Sequence, residues 1–184
     1  MPEADADALL AGARRELARL PGLLDGMLAG LDDETARRRP APEEWAPVEI
    51  VCHLRDEESE DFGARLRAVV AGGPPFTKID PPRWAIERRY REERIGEAMA
   101  EVTARRRESL AWLATVDAAA LRRSLPLGRM GPVSGLEFLA AWVAHDGLHV
   151  QQLAATLTRL WADRWAPLRV EYAGDIPYPP TPRS

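Results

Sequence analysis

The stretch SGLEFLAAWVAHDGLHVQQLAATL, residues 134–157, decides the fold class of this 184-residue chain. It opens with Ser134 and Glu137, a Ser-x-x-Glu capping box, in which the serine oxygen accepts a backbone N–H and the glutamate reaches back. Two histidines, an aspartate and two glutamines make the stretch too polar to span a membrane. We therefore predict a long helix of a globular domain, which runs to about Trp161.

Three further long segments have the composition and the periodicity of helices. Ala, Leu, Arg and Glu dominate them, and the alternation of β-branched and aromatic residues that is typical of strands is almost absent. The first segment covers about residues 5–31, and Pro21 predicts a kink or a break in it. The second runs from about Pro47 to Ala71 and the third from about Arg91 to Val116. The predicted fold class is therefore all-α.

The connection between the second and third helices, about residues 72–90, is long and rich in proline. We expect one short helical turn in it, near Trp84. A connection of this length can cross over an end of a helical bundle. One domain is expected from the chain length. Residues 1–162 would form the bundle, and residues 163–184 would form a Pro-rich tail that packs on it or frays.

Composition excludes several classes of protein. The formal net charge is −4, which argues against a protein that mainly coats nucleic acid. The single cysteine, Cys52, excludes a scaffold built on intrachain disulfides, and we interpret it as a buried structural thiol. The acidic N-terminus lacks the basic start of a signal peptide. We expect a cytoplasmic protein that binds neither membrane nor nucleic acid.

The three histidines of the chain all fall on predicted helices. His145 and His149 are four residues apart, which places them within roughly 40° on one helical face. That face is largely apolar and should point inward, and His53 lies early in the second predicted helix. Three neutral imidazoles with open positions make a common metal site. The alternative is that the histidines are core residues bonded to Glu57, Asp146 or the backbone.

Glu57 is the candidate catalytic residue, because it follows His53 by one helical turn. It could accept a hydrogen bond from a ligand, provide a fourth ligand or act as a general base. A solvated glutamate on the surface is the alternative. Asp146 could orient a histidine, with a surface acid as the alternative.

Two separated segments resemble the signatures of the DinB/YfiT-like superfamily. The first is RPAPEEWAPVEIVCHLRDEE, residues 39–58, which has a Trp, a Glu, then His-Leu and a Glu one turn later. The second lies within residues 131–153 and ends in HDGLHVQQL, similar to the pattern His-Asp-x-x-His-x-x-Gln-Leu. The resemblance covers roughly residues 10 to 160. One departure is Ala46, where the family often has a Ser that caps the helix.

The resemblance implies an up-down-down-up four-helix bundle with a long crossover between its second and third helices. It also implies that His53, His145 and His149 bind a divalent ion such as zinc, nickel or iron. Several members of the family are dimers, so a homodimer is expected. Characterised relatives include S-transferases that use bacillithiol or mycothiol and a mycothiol-dependent maleylpyruvate isomerase.

The leading functional hypothesis is a metal-dependent thiol S-transferase that acts on a small-molecule electrophile in detoxification or the stress response. A cation stabilises the thiolate of a bound low-molecular-weight thiol, and Glu57 would accept the proton. The first alternative is a metal-dependent hydrolase, because the same site lowers the pKa of bound water. The second is a metal-binding stress-response module without catalysis.

Overall fold

The computed structural model describes residues 5–73 and 78–175 of the chain. Helices dominate these residues, as the sequence predicts. The α-helices are α1 (Ala6–Leu17), α2 (Leu20–Leu28), α3 (Asp33–Ala36), α4 (Pro47–Glu57), α5 (Gly63–Ala71), α6 (Pro81–Glu87), α7 (Ile95–Leu113) and α8 (Gly135–Trp165). A π-helical turn, Glu58–Phe62, joins α4 to α5 without interruption. Short 3₁₀ turns and the two strands β1 (Ser124–Pro126) and β2 (Pro132–Ser134) complete the set.

Most predicted helix boundaries agree with the structure to within a few residues. The first segment breaks between Leu17 and Leu20, and Pro21 then occupies the first turn of α2, where a missing N–H costs nothing. The connection after α5 contains α6, which includes Trp84. Helix α8 begins at its predicted cap, where Ser134 Oγ accepts from the Glu137 N–H. It ends at Trp165, four residues beyond the predicted end.

Helix α4 begins without a side-chain cap at Ala46, yet half of a capping box remains. The Glu49 carboxylate accepts the Ala46 N–H at 2.9 Å. Arg39 holds the same carboxylate in a bidentate pair, at 2.7 and 2.5 Å. Ala46 lacks the serine oxygen that often caps this helix in the family. Its own N–H is nevertheless hydrogen-bonded at the start of the helix.

The bundle packs around α7 and α8, since each of them contacts α1, α2 and α4. Its apolar core consists of two clusters. The first lies around α2, α4 and the start of α7 and includes Leu24, Leu54 and Leu153. The second lies around α1, α5 and the start of α8 and includes Leu66 and Trp142.

Buried charged and polar residues separate these two clusters. On the helix that α4 begins, they lie between His53 and Leu66, and on α8 they lie between Trp142 and Leu153. The buried members of this polar layer include His53, Arg55, Asp56, Glu57, Glu58, Asp61, Arg106 and Asp146. The layer contains the candidate site.

Cys52 is fully buried in the first cluster, as predicted, and its Sγ lies 3.9 Å from the carbonyl oxygen of Tyr90. Burial raises the pKa of this thiol far above its usual range. The predicted tail from residue 163 is still helical at its start, and residues 176–184 lie outside the described part of the chain. Among the described helices, none has both the length and the apolar character needed to cross a lipid bilayer.

Candidate metal centre

The three histidines meet in the polar layer, where α4 packs against α8. His53 Nε2 lies 2.9 Å from His149 Nε2, which in turn lies 3.0 Å from His145 Nε2. The candidate ligand atoms of all three rings lie within 4.8 Å of one another. The four-residue spacing on α8 therefore produces the convergence that it predicts, and His53 completes it from the facing helix.

The electrostatics of the centre favour neutral imidazoles at His53 and His149. Burial lowers the pKa of His53 to about 4 and that of His149 to about 4, in each case helped by a neighbouring histidine. His149 Nδ1 donates to the amide oxygen of Gln152 at 2.7 Å. That bond places the proton on Nδ1 and leaves the Nε2 lone pair free to bind a cation.

This donor set fits a divalent metal ion. His149, with its proton on Nδ1, presents only a lone pair at Nε2, and this lone pair faces the Nε2 atoms of both His53 and His145, so that a cation or a shared proton between them stabilises the arrangement. Zn²⁺ takes imidazole nitrogens at about 2.0–2.1 Å, and a catalytic zinc commonly has three protein ligands and an open position. Zinc, nickel and iron all accept such a set of nitrogens.

Glu57 adds a carboxylate to the three histidines. Its Oε2 lies 2.8 Å from His145 Nε2, and its Oε1 lies 3.6 Å from His53 Nδ1. The residue is only 5% exposed, so the alternative of a solvated glutamate is wrong. Burial opposes its ionisation, yet the hydrogen bond from His145 and the His53 ring hold the pKa of this carboxyl below its ordinary value. Glu57 is thus a carboxylate at neutral pH, in contact with a candidate ligand.

Two aromatic rings border the histidines. The Trp45 ring centroid lies 4.8 Å from that of His53, and the Phe62 centroid lies 4.8 Å from that of His145. Phe62 also stacks on Trp142 at 5.9 Å. Phe62 and Gln152 carry no sequence signal strong enough to predict them as site residues, although Gln152 follows His149 by one helical turn.

Asp146 does not orient a histidine, and it is not a surface acid. It forms a bidentate pair with Arg106 of α7, at 2.6 and 3.0 Å. Arg106 is 1% exposed and also binds Glu58 at 2.7 Å and the carbonyl oxygen of Leu17 at 2.7 Å. The Arg106 guanidinium therefore links α1, the π-turn, α7 and α8 close to the three histidines.

A second buried carboxylate anchors the crossover beside the centre. Asp56 Oδ2 accepts from Arg88 Nη1 at 2.6 Å and from the Tyr90 hydroxyl at 2.7 Å. Its Oδ1 accepts from Arg55 Nε at 2.7 Å. Burial opposes ionisation of Asp56, but these hydrogen bonds keep its pKa below the ordinary value. The segment after α6 is thereby fixed to the helix that carries His53.

Gln152 offers a first test of the centre. We expect Gln152→Ala to raise the zinc dissociation constant by about 10–100-fold, because loss of the partner of a ligating histidine frees its ring and its tautomer. Isothermal titration calorimetry measures the change. The matched control is Gln151→Ala, since Gln151 is the exposed neighbour. Equal zinc affinities for the two variants would contradict the role assigned to Gln152.

A second test uses the pH dependence of the metal-free protein. The pKa of His149 is about 4 in the folded state and 6.5 without burial, so the unfolded chain binds the extra proton first. This histidine therefore lowers the free energy of unfolding as pH falls from 6.5 to 4, by up to about 3 kcal/mol, and adds no further change below that. Urea unfolding in the presence of a chelator should show a shallower profile for His149→Ala than for the wild type. Parallel profiles would rule out a buried neutral His149.

Comparisons with known proteins agree with this geometry. A sequence profile described as the DinB superfamily matches residues 16–153. The solved structure of YfiT from Bacillus subtilis is similar, with a TM-score of 0.73 and 15% sequence identity over 88% of this chain and 90% of that one. YfiT is described as a probable metal-dependent hydrolase with an unusual four-helix bundle topology. No curated protein sequence gives a significant match.

Proposed function

Because this chain belongs to the DinB superfamily, we propose that it is a metal-dependent enzyme that activates a nucleophile against a small molecule. The observation that carries the proposal is the convergence of three Nε2 atoms, with neighbouring distances of 2.9 and 3.0 Å. His53, His145 and His149 would hold the ion. A divalent cation there lowers the pKa of a thiol or a water molecule that binds to it.

Glu57 is the proposed proton acceptor. Its carboxylate is ionised, is buried and lies within hydrogen-bond distance of His145, so it can accept a proton released beside the histidines. Trp45 and Phe62 would limit access of water from the sides on which their rings pack. Gln152 would hold His149 in the tautomer that binds the ion.

The reaction we propose first is transfer of a low-molecular-weight thiol to an electrophile, in detoxification or the stress response. The thiol sulfur would form a bond to the electrophilic carbon, the leaving group on that carbon would depart with the electron pair of its bond, and the thiol proton would pass to Glu57. Its support is the resemblance to thiol-dependent transferases and an ionised carboxylate next to the histidines. Hydrolysis of an ester or amide is the second candidate, favoured by the description of YfiT.

The experiment is a metal analysis followed by two activity panels. Elemental mass spectrometry on tag-free protein should find about one equivalent of a divalent metal. Consumption of bacillithiol or mycothiol with an electrophile, lost in Glu57→Ala, would support the transferase. Thiol-independent turnover of esters or amides would support the hydrolase, and bound metal without turnover on either panel would support a non-catalytic module.

We also propose a homodimer formed through α2 and α8. Leu23, a large apolar side chain of α2, is 42% exposed. A shallow cleft lined by Leu23, Val143 and Val150 lies between the helices. Pairing of this face in a second copy would cover them. Sedimentation equilibrium that gives the mass of a monomer would contradict this proposal.

A further inference from the structure

The π-turn Glu58–Phe62 is an irregularity inside an otherwise continuous helix. At its end, the N–H of Gly63 donates to the carbonyl oxygen of Glu58, five residues earlier, instead of four as in an α-helix. The turn therefore contains one residue more than an α-helical turn. Such turns are rare and are frequent at functional sites. This one begins at the residue that follows Glu57.

The extra residue changes which side chains share a face. On a regular α-helix, residues five apart point about 140° away from each other. Here Glu57 and Phe62 are five apart, yet both contact His145. Glu57 Oε2 lies 2.8 Å from His145 Nε2, and the Phe62 ring centroid lies 4.8 Å from that of His145. The two contacts coexist because the π-turn brings Phe62 back over Glu57.

Two adjacent carboxylates lie at the start of the turn and point in different directions. Glu57 faces the histidines, while Glu58 binds Arg106 at 2.7 Å. Both glutamates are almost fully buried, at 5% and 2% exposure. A change in the twist of the helix at this point would therefore disturb both the metal centre and the buried ion cluster.

Gly63 is the residue that permits the turn. A Cβ at this position would overlap the carbonyl oxygen of Glu58, which is the acceptor of the π-type hydrogen bond. That oxygen belongs to the backbone and can move only if the turn changes. Gly26 and Gly96, which also lie in helices, differ, because a Cβ on either of them would meet no atom within 4 Å.

We propose that Gly63 is a positioning residue of the metal centre, because it admits the π-turn that lets Glu57 and Phe62 contact His145 together. The functional consequence rests on the proposed metal site. A side chain at position 63 would convert the turn towards regular α-helix and rotate Glu57 and Phe62 relative to each other. The three histidines would remain, but His145 would lose its contacts with the Glu57 carboxylate and the Phe62 ring.

The test compares Gly63→Ala with Gly26→Ala in the full-length protein. Gly63→Ala should raise the zinc dissociation constant by about 10–100-fold, as loss of a ligand's supporting contact does. It should also shift the ring resonances of His145 in long-range ¹H–¹⁵N NMR spectra of the metal-free protein. Gly26→Ala should leave the zinc dissociation constant and the His145 resonances unchanged. It should raise the melting temperature, since alanine is the better helix former.

Two outcomes would overturn the proposal. The first is that Gly63→Ala binds zinc as tightly as the wild type does, and the second is that the His145 resonances of this variant do not shift. If wild-type protein bound no zinc, the proposed function would fail, while the NMR comparison would still decide the role of Gly63. If Gly63→Ala did not fold, Phe62→Leu would replace it, because this variant keeps the glycine and removes only the ring. Unchanged His145 resonances in Phe62→Leu would then count against the proposal.

Discussion

Replacing His149 by alanine is expected to raise the zinc dissociation constant by more than about 100-fold, since loss of a supporting partner alone costs about 10–100-fold. His149 is the central ring of the three, with Nε2 contacts to both His53 and His145. Its removal leaves two of the three imidazole nitrogens. Elemental mass spectrometry and calorimetry on the purified variant measure the loss.

The control for this variant is Gln151→Ala, two residues further along α8 and exposed. It should bind metal as the wild type does. Metal content in His149→Ala equal to that of the wild type would show that the ion binds elsewhere. Absence of metal from the wild type, even after reconstitution, would instead identify the histidines as core residues.

Replacing Arg106 by alanine is expected to lower the free energy of unfolding by about 3–5 kcal/mol, because loss of one partner leaves the other charges buried and unpaired. The guanidinium holds Asp146 and Glu58, and both carboxylates are at most 7% exposed. It also satisfies the carbonyl oxygen at the end of α1. Urea denaturation followed by circular dichroism measures the change.

An exposed ion pair provides the comparison. Arg83 and Glu87 of α6 form a contact at 2.7 Å, but their side chains are 68% and 53% exposed. Arg83→Ala should therefore change the stability by no more than about 0.5 kcal/mol. An Arg106→Ala effect of similar size would show that the buried cluster contributes little. Arg106→Lys should recover only part of the loss, because an ammonium cannot form the bidentate pair with Asp146.

The histidines were the most predictable part of the site. Spacing on one helix placed His145 and His149 together, and the family resemblance added His53 from a second helix. The helix boundaries followed from local signals, such as Pro47 at a first helical turn and the Ser134 cap. These signals act within a few residues of the position they determine.

The buried charges could not be predicted in the same way. Mixed charges on a helix are usually solvated, so the sequence around Arg88 predicts an exposed charged face. In the structure, Arg88 binds both Asp56 and Glu60. Partners 28 and 32 residues apart in sequence are joined only by the packing of the crossover on α4. The same holds for Arg106, whose carboxylate partners lie on two other elements.

The sequence pattern does not predict the π-turn either. Residues 58–62 have the composition of an ordinary helix, and Gly63 alone gives only a weak signal. The steric reason for the glycine emerges only when the carbonyl oxygen of Glu58 is located. The local sequence thus predicts that a helix spans this region. It does not predict the hydrogen bond from the Gly63 N–H to the Glu58 carbonyl oxygen, on which the geometry of the turn depends.

The burial of Cys52 has a practical consequence for assays that test thiol transfer by this protein. Thiol-transfer assays follow the disappearance of free sulfhydryl groups, and a reactive cysteine on the enzyme would consume reagent and form mixed disulfides with the cosubstrate. This chain has a single cysteine, and it is fully buried. The folded protein will therefore contribute no reactive sulfhydryl group in such assays, and any slow labelling of Cys52 will report how often the helix that carries His53 opens.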